Sequence, residues 1–385
     1  MPRINHEYEH LLLLACARAE LAKADLTPFD KVKNEFDWDY FYQLARRHSI
    51  LPIVYRQLEA SLRNQLPGEV FQRFRKDYQA NAARNLIFVD ELTALLDRFD
   101  AVGIQAIVFK GPALAVAVYG DVNLRRFVDL DLIVRRADVG RAIQVLTQSG
   151  YASSKDLTGE QQAVLLHVQH NLQFTRGGII IELHWQVSSQ LFASTVTAED
   201  LWKNLSTVKL NGRAVNTLAT EDLLFALCVH GSRHLWQRLA WICDIDRLIR
   251  TNPAIDWSAL GERARRASLE RMFLLGPALA ASLLGTELPE AVASAIAQNE
   301  PIAALCDEIR ARLLDGPEQS VLPLFTVIRF NLLIRSGWRS RLRYGRFLFA
   351  PTDSDLEAVR LTPGFHFMYY VLRPFRLLTS ALRQH

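Results

Sequence analysis

Apolar and polar positions along the chain change period twice. From the N-terminus to about residue 100 they recur at helical spacing. His10–Leu21 is an apolar run between charged flanks. Asp37–His48 and Leu51–Arg63 follow, separated near Ile50 and Pro52. Pro67 opens a longer pattern from Glu69 to about Ala101, with Phe71, Phe74, Tyr78, Ala82, Leu86, Val89, Leu92 and Leu96 near one helical spacing. Gly103 ends that pattern, and the period shortens. Ala106–Phe109 predicts a strand that stops at Lys110-Gly111-Pro112. Glycine permits a tight turn, and proline suits the first position of a helix, where a missing N–H costs little. Ala113–Tyr119 predicts that helix, Gly120-Asp121 its end, and Leu130–Val134 the next strand.

Asp138–Ser149 reads as an amphipathic crossover helix, and Thr158–His167 as another helix. Leu172–Thr175 and Ile179–Leu183 form a hairpin pattern across Gly177-Gly178. Val208–Leu210 and Ala214–Thr217 flank Asn211-Gly212, a strong turn signal, and read as additions to one small mixed sheet. From Thr220 the helical period returns. Residues 256–315 give segments rich in alanine and leucine, Gly316-Pro317 marks a break, and Val321–Phe349 and Phe365–Leu382 follow, the last interrupted by Pro374.

Half of the 385 residues are apolar, enough for sizeable cores in two or three domains. A net charge of +4 permits a polyanionic partner without requiring one. Cys16, Cys228, Cys243 and Cys306 lack metal-type spacing and read as buried thiols in a reducing compartment. With no signal peptide pattern and no apolar run long enough to span a bilayer, the expected location is cytoplasmic.

The chemistry concentrates in Asp129-Leu130-Asp131. Residues two apart in a strand share a face, with Cα atoms about 6.6 Å apart. Two carboxylates held there repel unless a cation lies between them. Mg²⁺ accepts a few carboxylates together with substrate phosphates. Just upstream, Gly111 and the helix that follows offer backbone N–H groups and a positive dipole to a phosphate. On this reading Asp131→Asn leaves the fold intact, because it relieves repulsion.

Lys110-Gly111, then Arg125, then Asp129-Leu130-Asp131-Leu132-Ile133-Val134 resembles the core motif of the DNA polymerase beta-type nucleotidyltransferase superfamily. The closest likeness is to its branch of uncharacterised bacterial nucleotidyltransferases. The resemblance implies an α+β fold: a small mixed β-sheet nucleotidyltransferase core at 104–218, between an N-terminal helical region at 1–103 and a C-terminal helical region at 219–385. It implies a third acid on a neighbouring strand, which Glu182 in IIIELHW matches, with His184 on the same face. Asp129, Asp131 and Glu182 would then hold Mg²⁺ or Mn²⁺, while Lys110, Gly111 and Arg125 contact the phosphates of a nucleoside triphosphate. The implied reaction moves a nucleoside monophosphate to an acceptor: a small molecule, peptide or saccharide. The alternatives are a toxin-like enzyme acting on tRNA or protein, and a catalytically silent nucleotide-binding protein.

Two later stretches add candidates. HGSRHLWQRLAWICDIDRLI resembles a second block of the same family and carries His230, Arg233, His234 and Arg238 as phosphate or acceptor contacts, with Trp236 and Trp241 as surfaces for a base. Read as one helix, it places His230 and His234 on one face. Gly231 stands where a zinc protease needs glutamate, which removes that reading. Residues 321–349 combine apolar side chains with Arg329, Arg335, Arg339, Arg341, Arg343 and Arg346, the pattern of a surface that lies on anionic lipid or RNA, or of a terminal helix pair with a solvated basic face.

Overall fold

The computed structural model describes residues 6–18, 36–153, 171–186, 201–316, 318 and 322–349. The helix expected at 158–167 and the segment at 365–382 lie outside them.

The N-terminal part is helical: α1 (Glu7–Ala17), α2 (Trp38–Arg47), α3 (Leu51–Ser61) and α4 (Gly68–Ala101). Asp37 caps α2 by accepting from the Tyr40 N–H at 2.8 Å. Pro52 sits in the first turn of α3. The 34 residues of α4 extend about 50 Å. Gly103, at φ +70°, turns the chain out of α4 into β1 (Ala106–Val108).

Next come α5 (Gly111–Tyr119), β2 (Asp129–Val134), α6 (Val139–Gln148), β3 (Ala152–Ser153), β4 (Asn171–Arg176) and β5 (Ile179–His184). The sheet order is β1-β2-β5-β4-β3. β2 and β5 run parallel; the other neighbours are antiparallel. The crossover through α6 therefore reaches the far edge of the sheet, and β4 and β5 fill back toward β2.

β6 (Leu205–Leu210) and β7 (Arg213–Leu218) form a separate two-stranded sheet, not an extension of the first. Side chains anchor this hairpin where ladder hydrogen bonds do not. Asn211 Nδ2 donates to Asp90 Oδ1 at 2.7 Å, and Arg213 pairs with Asp97 and Asp100, all on α4.

The C-terminal helices are α7 (Thr220–Arg233), α8 (Leu239–Thr251), α9 (Trp257–Arg266), α10 (Glu270–Leu279), α11 (Glu290–Ala297), α12 (Glu300–Leu313), α13 (Leu324–Leu333) and α14 (Trp338–Phe349). The architecture is α+β.

Two hydrophobic cores hold it together. One joins both ends of the chain: Leu13, Phe41, Val54 and Phe74 pack in one cluster with Phe225, Ile245, Leu275, Ile309 and Phe330. The other lies under the sheet. There Phe88, Leu92, Leu95 and Phe99 of α4 meet Leu130, Leu132 and Val134 of β2 and Ile181 and Leu183 of β5. Strand alternation decides the rest. With Leu130 and Leu132 facing the sheet core, Asp129 and Asp131 are turned to the opposite face, where Ile107, Phe109 and Ile133 join the helical core.

Candidate active site

The floor of the site is set by strand register. Asp131 lies directly opposite Glu182 across the parallel β2–β5 pair, and Ile133 opposite His184. One pleat therefore gathers Asp129, Asp131, Glu182 and His184. Asp131 is 2% exposed; Asp129 and Glu182 are half-buried. Lys110 Nζ lies 3.1 Å from Asp131 Oδ1. His184 Nε2 lies 3.2 Å from that same oxygen and 3.2 Å from Glu182 Oε2. Asn171 on β4 donates to Glu182 Oε2 at 3.2 Å. One ligand atom each from Asp131, Glu182 and His184 falls within 4.8 Å of the others, a spacing suited to one cation. Asp129 lines the same cavity outside that trio.

The acids differ electrostatically. Burial pushes the Asp129 carboxyl up, and the Asp131 charge adds to the rise. Burial opposes the charge on Asp131 too, but Lys110 and His184 outweigh it and hold its pKa below the usual range. The hydrogen bond from His184 is the main cause of a lowered Glu182 pKa. His184 is raised: burial works against its charge, and its bonds to Asp131 and Glu182 prevail.

Gly111 begins α5 against this floor. Its φ is +55°, and a Cβ there would stand 3.3 Å from the Asp129 carbonyl oxygen. Both the backbone conformation and the close approach call for glycine. The first turn of α5 thus opens beside Asp129 without a side-chain cap.

The roof comes from the end of α7 and the start of α8. The single helix expected here is broken. α7 stops at Arg233, His234 caps it, and Leu235 and Trp236 both take φ near +53° before α8 begins at Leu239. The Trp236 ring is buried against Gly231, where a Cβ would stand 2.4 Å from it. The sequence carries no glycine or proline at the break, only this notch for an indole. His230 and His234 nevertheless stay close, their ring centroids 4.6 Å apart, and each lies 5.3 Å from Trp241. Burial lowers both imidazoles, His230 well below its ordinary pKa and His234 to about 4, with neighbouring cations adding to the effect, so both are neutral at physiological pH. Arg233 and Arg238 line the same cavity, and the Arg238 guanidinium carbon sits 5.9 Å from the Trp241 ring centre.

Arg125 lines the cavity but is committed elsewhere. Its Nε is 3.2 Å from both oxygens of the buried Asp244, and its Nη2 is 3.1 Å from Oδ2. The Tyr119 hydroxyl donates to Asp244 Oδ1 at 2.9 Å. The next residue, Arg126, is exposed at the cavity mouth and has no carboxylate within ion-pair distance among the described residues. Its charge helps depress Arg84 and Arg238, both already lowered by burial. Arg126 and Asn171 are site residues that sequence reasoning missed. Asn171 had a legible signal, since the hairpin register places it on a strand adjoining Glu182.

Between floor and roof lies a cavity of about 420 Å³ bordered by Lys110, Gly111, Arg125, Asp129, Asp131, Glu182, His184, His230, Arg233, His234 and Arg238. The residues expected from sequence to contact metal, phosphate or acceptor all border this one space, whereas Trp236, expected as a surface for a base, is buried away from it and only Trp241 lines the cavity. Residues 34–285 match the model of a family described as uncharacterised nucleotidyltransferase. The chain belongs to this nucleotidyltransferase family. No curated protein matches it. Among solved structures it is similar to an antigenic nucleotidyltransferase-like protein from Paracoccidioides brasiliensis, at 17% identity and a TM-score of 0.30, over 53% of this chain and 95% of that one. No helix of the described residues is long and apolar enough to cross a membrane.

Proposed function

We infer that this nucleotidyltransferase transfers a nucleoside monophosphate from a nucleoside triphosphate to an acceptor hydroxyl with the help of Mg²⁺ or Mn²⁺, releasing pyrophosphate. The observation that carries this reading is the in-register pair Asp131–Glu182, with Asp129 on the same pleat, facing one cavity. The donor set suits a hard divalent cation: carboxylate oxygens clustered on one pleat, with Asp129 pushed up by burial and, after that, by the Asp131 charge. Asp129, Asp131 and Glu182 would hold the metal, with His184 beside them. Bound there, a metal would supply Lewis acidity to the acceptor oxygen and positive charge to the triphosphate and the leaving pyrophosphate.

The remaining roles fall to the chain itself. The first turn of α5 at Gly111 offers backbone N–H groups to phosphate. Lys110, Arg126, Arg233 and Arg238 supply positive charge around the cavity. Arg125 supports the site through Asp244, and Arg126 takes the phosphate contact expected of its neighbour. The Trp241 face, flanked by two neutral imidazoles, offers a surface for a nucleobase. Glu182, half-buried and bonded by Asn171 and His184, would also accept the acceptor's proton.

The test is incubation with each labelled nucleoside triphosphate, Mg²⁺ or Mn²⁺, and fractionated cell extract. Label transferred to one component with release of pyrophosphate supports the reading, and the labelled fraction tells a small molecule, saccharide or peptide from tRNA or a protein. Nucleotide bound with no pyrophosphate released under any condition leaves a silent binding protein.

A further inference from the structure

We propose that α13 and α14 form a docking surface for an anionic lipid bilayer, independent of the nucleotide site. Between Glu318 and Asp353 the sequence contains six arginines and no acidic residue. The same stretch holds four of the large hydrophobic side chains that the fold leaves exposed: Phe325 at 76%, Leu332 at 38%, Trp338 at 68% and Leu342 at 57%. They are paired by helical repeat. Phe325 and Leu332 are seven apart on α13, and Trp338 and Leu342 four apart on α14, so each pair lies on one face of its helix.

The orientation of α14 is fixed from behind. Tyr344 is buried, and the guanidinium carbon of the buried Arg335 lies 4.3 Å from its ring centre. Arg335 itself donates to the Asn331 carbonyl at 2.8 Å and to its side-chain oxygen at 2.7 Å. With Tyr344 inward, the helical repeat turns Trp338 and Leu342 to solvent. Arg341 falls on one side of that ridge and Arg339, Arg343 and Arg346 on the other. Arg329 is paired with Glu308, but Arg339, Arg343 and Arg346 have no carboxylate within ion-pair distance among the described residues. An apolar ridge holding an indole, bordered by arginines, is the composition of a helix that lies in the interfacial plane of a membrane. Basic residues there are drawn to acidic headgroups, and the apolar ridge enters the acyl boundary.

The charge pattern selects this occupant over two others. A second copy docking by two-fold symmetry would bring arginine against arginine. Single-stranded nucleic acid takes successive stacking platforms; here each exposed aromatic, Phe325 and Trp338, shares its helix face with an aliphatic side chain, Leu332 or Leu342, that stacks nothing and suits the acyl boundary.

The experiment is co-sedimentation of the full chain with vesicles of phosphatidylcholine alone or mixed with phosphatidylglycerol, across a salt series. The expected result is binding to the mixed vesicles only, weakening as salt rises. Trp338→Ala and Leu342→Ala should each reduce the partition roughly tenfold. Arg339→Gln with Arg343→Gln should reduce it and flatten its salt dependence. The melting temperature should hold in all of them, because these side chains are exposed. Should a variant misfold, quenching of indole fluorescence by brominated lipid, compared between the wild type and Trp338→Phe, reads the contact directly. The proposal is overturned if the wild type does not sediment with anionic vesicles, or if the variants sediment equally well. It is also overturned if the same residues are needed for an RNA oligonucleotide or a dimer while vesicles are ignored.

Discussion

Arg125 and Asp244, 119 positions apart, close a forked ion pair that ties the loop before β2 to α8. Both groups are shielded from water, and Tyr119 donates to the same carboxylate. Breaking a buried pair leaves an uncompensated charge, so Asp244→Ala should cost on the order of 3–5 kcal/mol. Arg126→Ala should leave the melting temperature unchanged and weaken triphosphate binding roughly tenfold, the loss of one or two charge-assisted hydrogen bonds. Thermal melts and calorimetry on the two variants separate them. Equal melting temperatures would remove the structural role given to Arg125.

The acids at 129 and 131 should respond differently to neutralisation. Asp131 is an anchor for Lys110 and His184, so Asp131→Asn should lower stability by roughly 1–3 kcal/mol as well as abolish transfer. This reverses the expectation from repulsion alone. Asp129→Asn removes the group whose charge is disfavoured, so it should abolish transfer and leave the melting temperature unchanged or slightly raised. Transfer surviving in both variants would end the assignment of these acids.

Nucleotide affinity should depend on divalent metal. The carboxylates of the floor repel a triphosphate until a cation neutralises them. Calorimetric titration with ATP or GTP should give weak binding in chelator and stronger binding in Mg²⁺ or Mn²⁺. Identical affinities in the two conditions would count against a metal seat at Asp131 and Glu182.

His48 predicts a pH dependence away from the site. Fully buried, its Nε2 lies 2.8 Å from the Leu313 carbonyl oxygen, and its Nδ1 accepts from the Leu239 N–H at 3.3 Å. Burial depresses its pKa from 6.5 to about 3. The unfolded chain therefore takes up this proton first, and stability falls as pH drops from 6.5 toward 3. His48→Gln should be less stable at neutral pH yet lose less between about pH 7 and pH 5 than the wild type. Parallel melting curves against pH would show that His48 does not titrate in this way.

Gly231→Ala tests the notch that shapes the roof. The added methyl meets the Trp236 ring at 2.4–2.6 Å, so the indole must move. Overpacking of this kind costs about 1–3 kcal/mol. The turn carrying His234 and Arg238 should shift with it, raising the nucleotide Kd beyond what the stability loss accounts for.

The legible parts of this protein are those that local chemistry determines. Strand alternation turned the acids at 129 and 131 to one face and Glu182 and His184 to one face of their own strand, the Gly177-Gly178 turn joined that strand to its neighbour, and the glycine at 111 marked the close approach beside the floor. What stayed hidden depends on distant partners. Nothing near Arg125 reveals that Asp244 will hold it, leaving Arg126 at the mouth. The Asn211-Gly212 hairpin was plain, but its place outside the main sheet depends on Asp90, Asp97 and Asp100 of a helix more than a hundred residues earlier. The break after Arg233 escaped notice because its cause is an indole seated on Gly231, with none of the usual breaking residues at the turn.

The shared core of the two chain ends bears on the order of synthesis. α1–α3 leave the ribosome more than two hundred residues before α10, α12 and α13, whose side chains they share a core with. Leu13, Phe41 and Val54 can meet one another and Phe74 early, but their cluster stays only partly covered until α10, α12 and α13 emerge, while α4 and the sheet already have most of their partners. The sheet is positioned to fold first and the outer helices to close around it, so a chain stalled before residue 270 would present its first helices to chaperones and proteases.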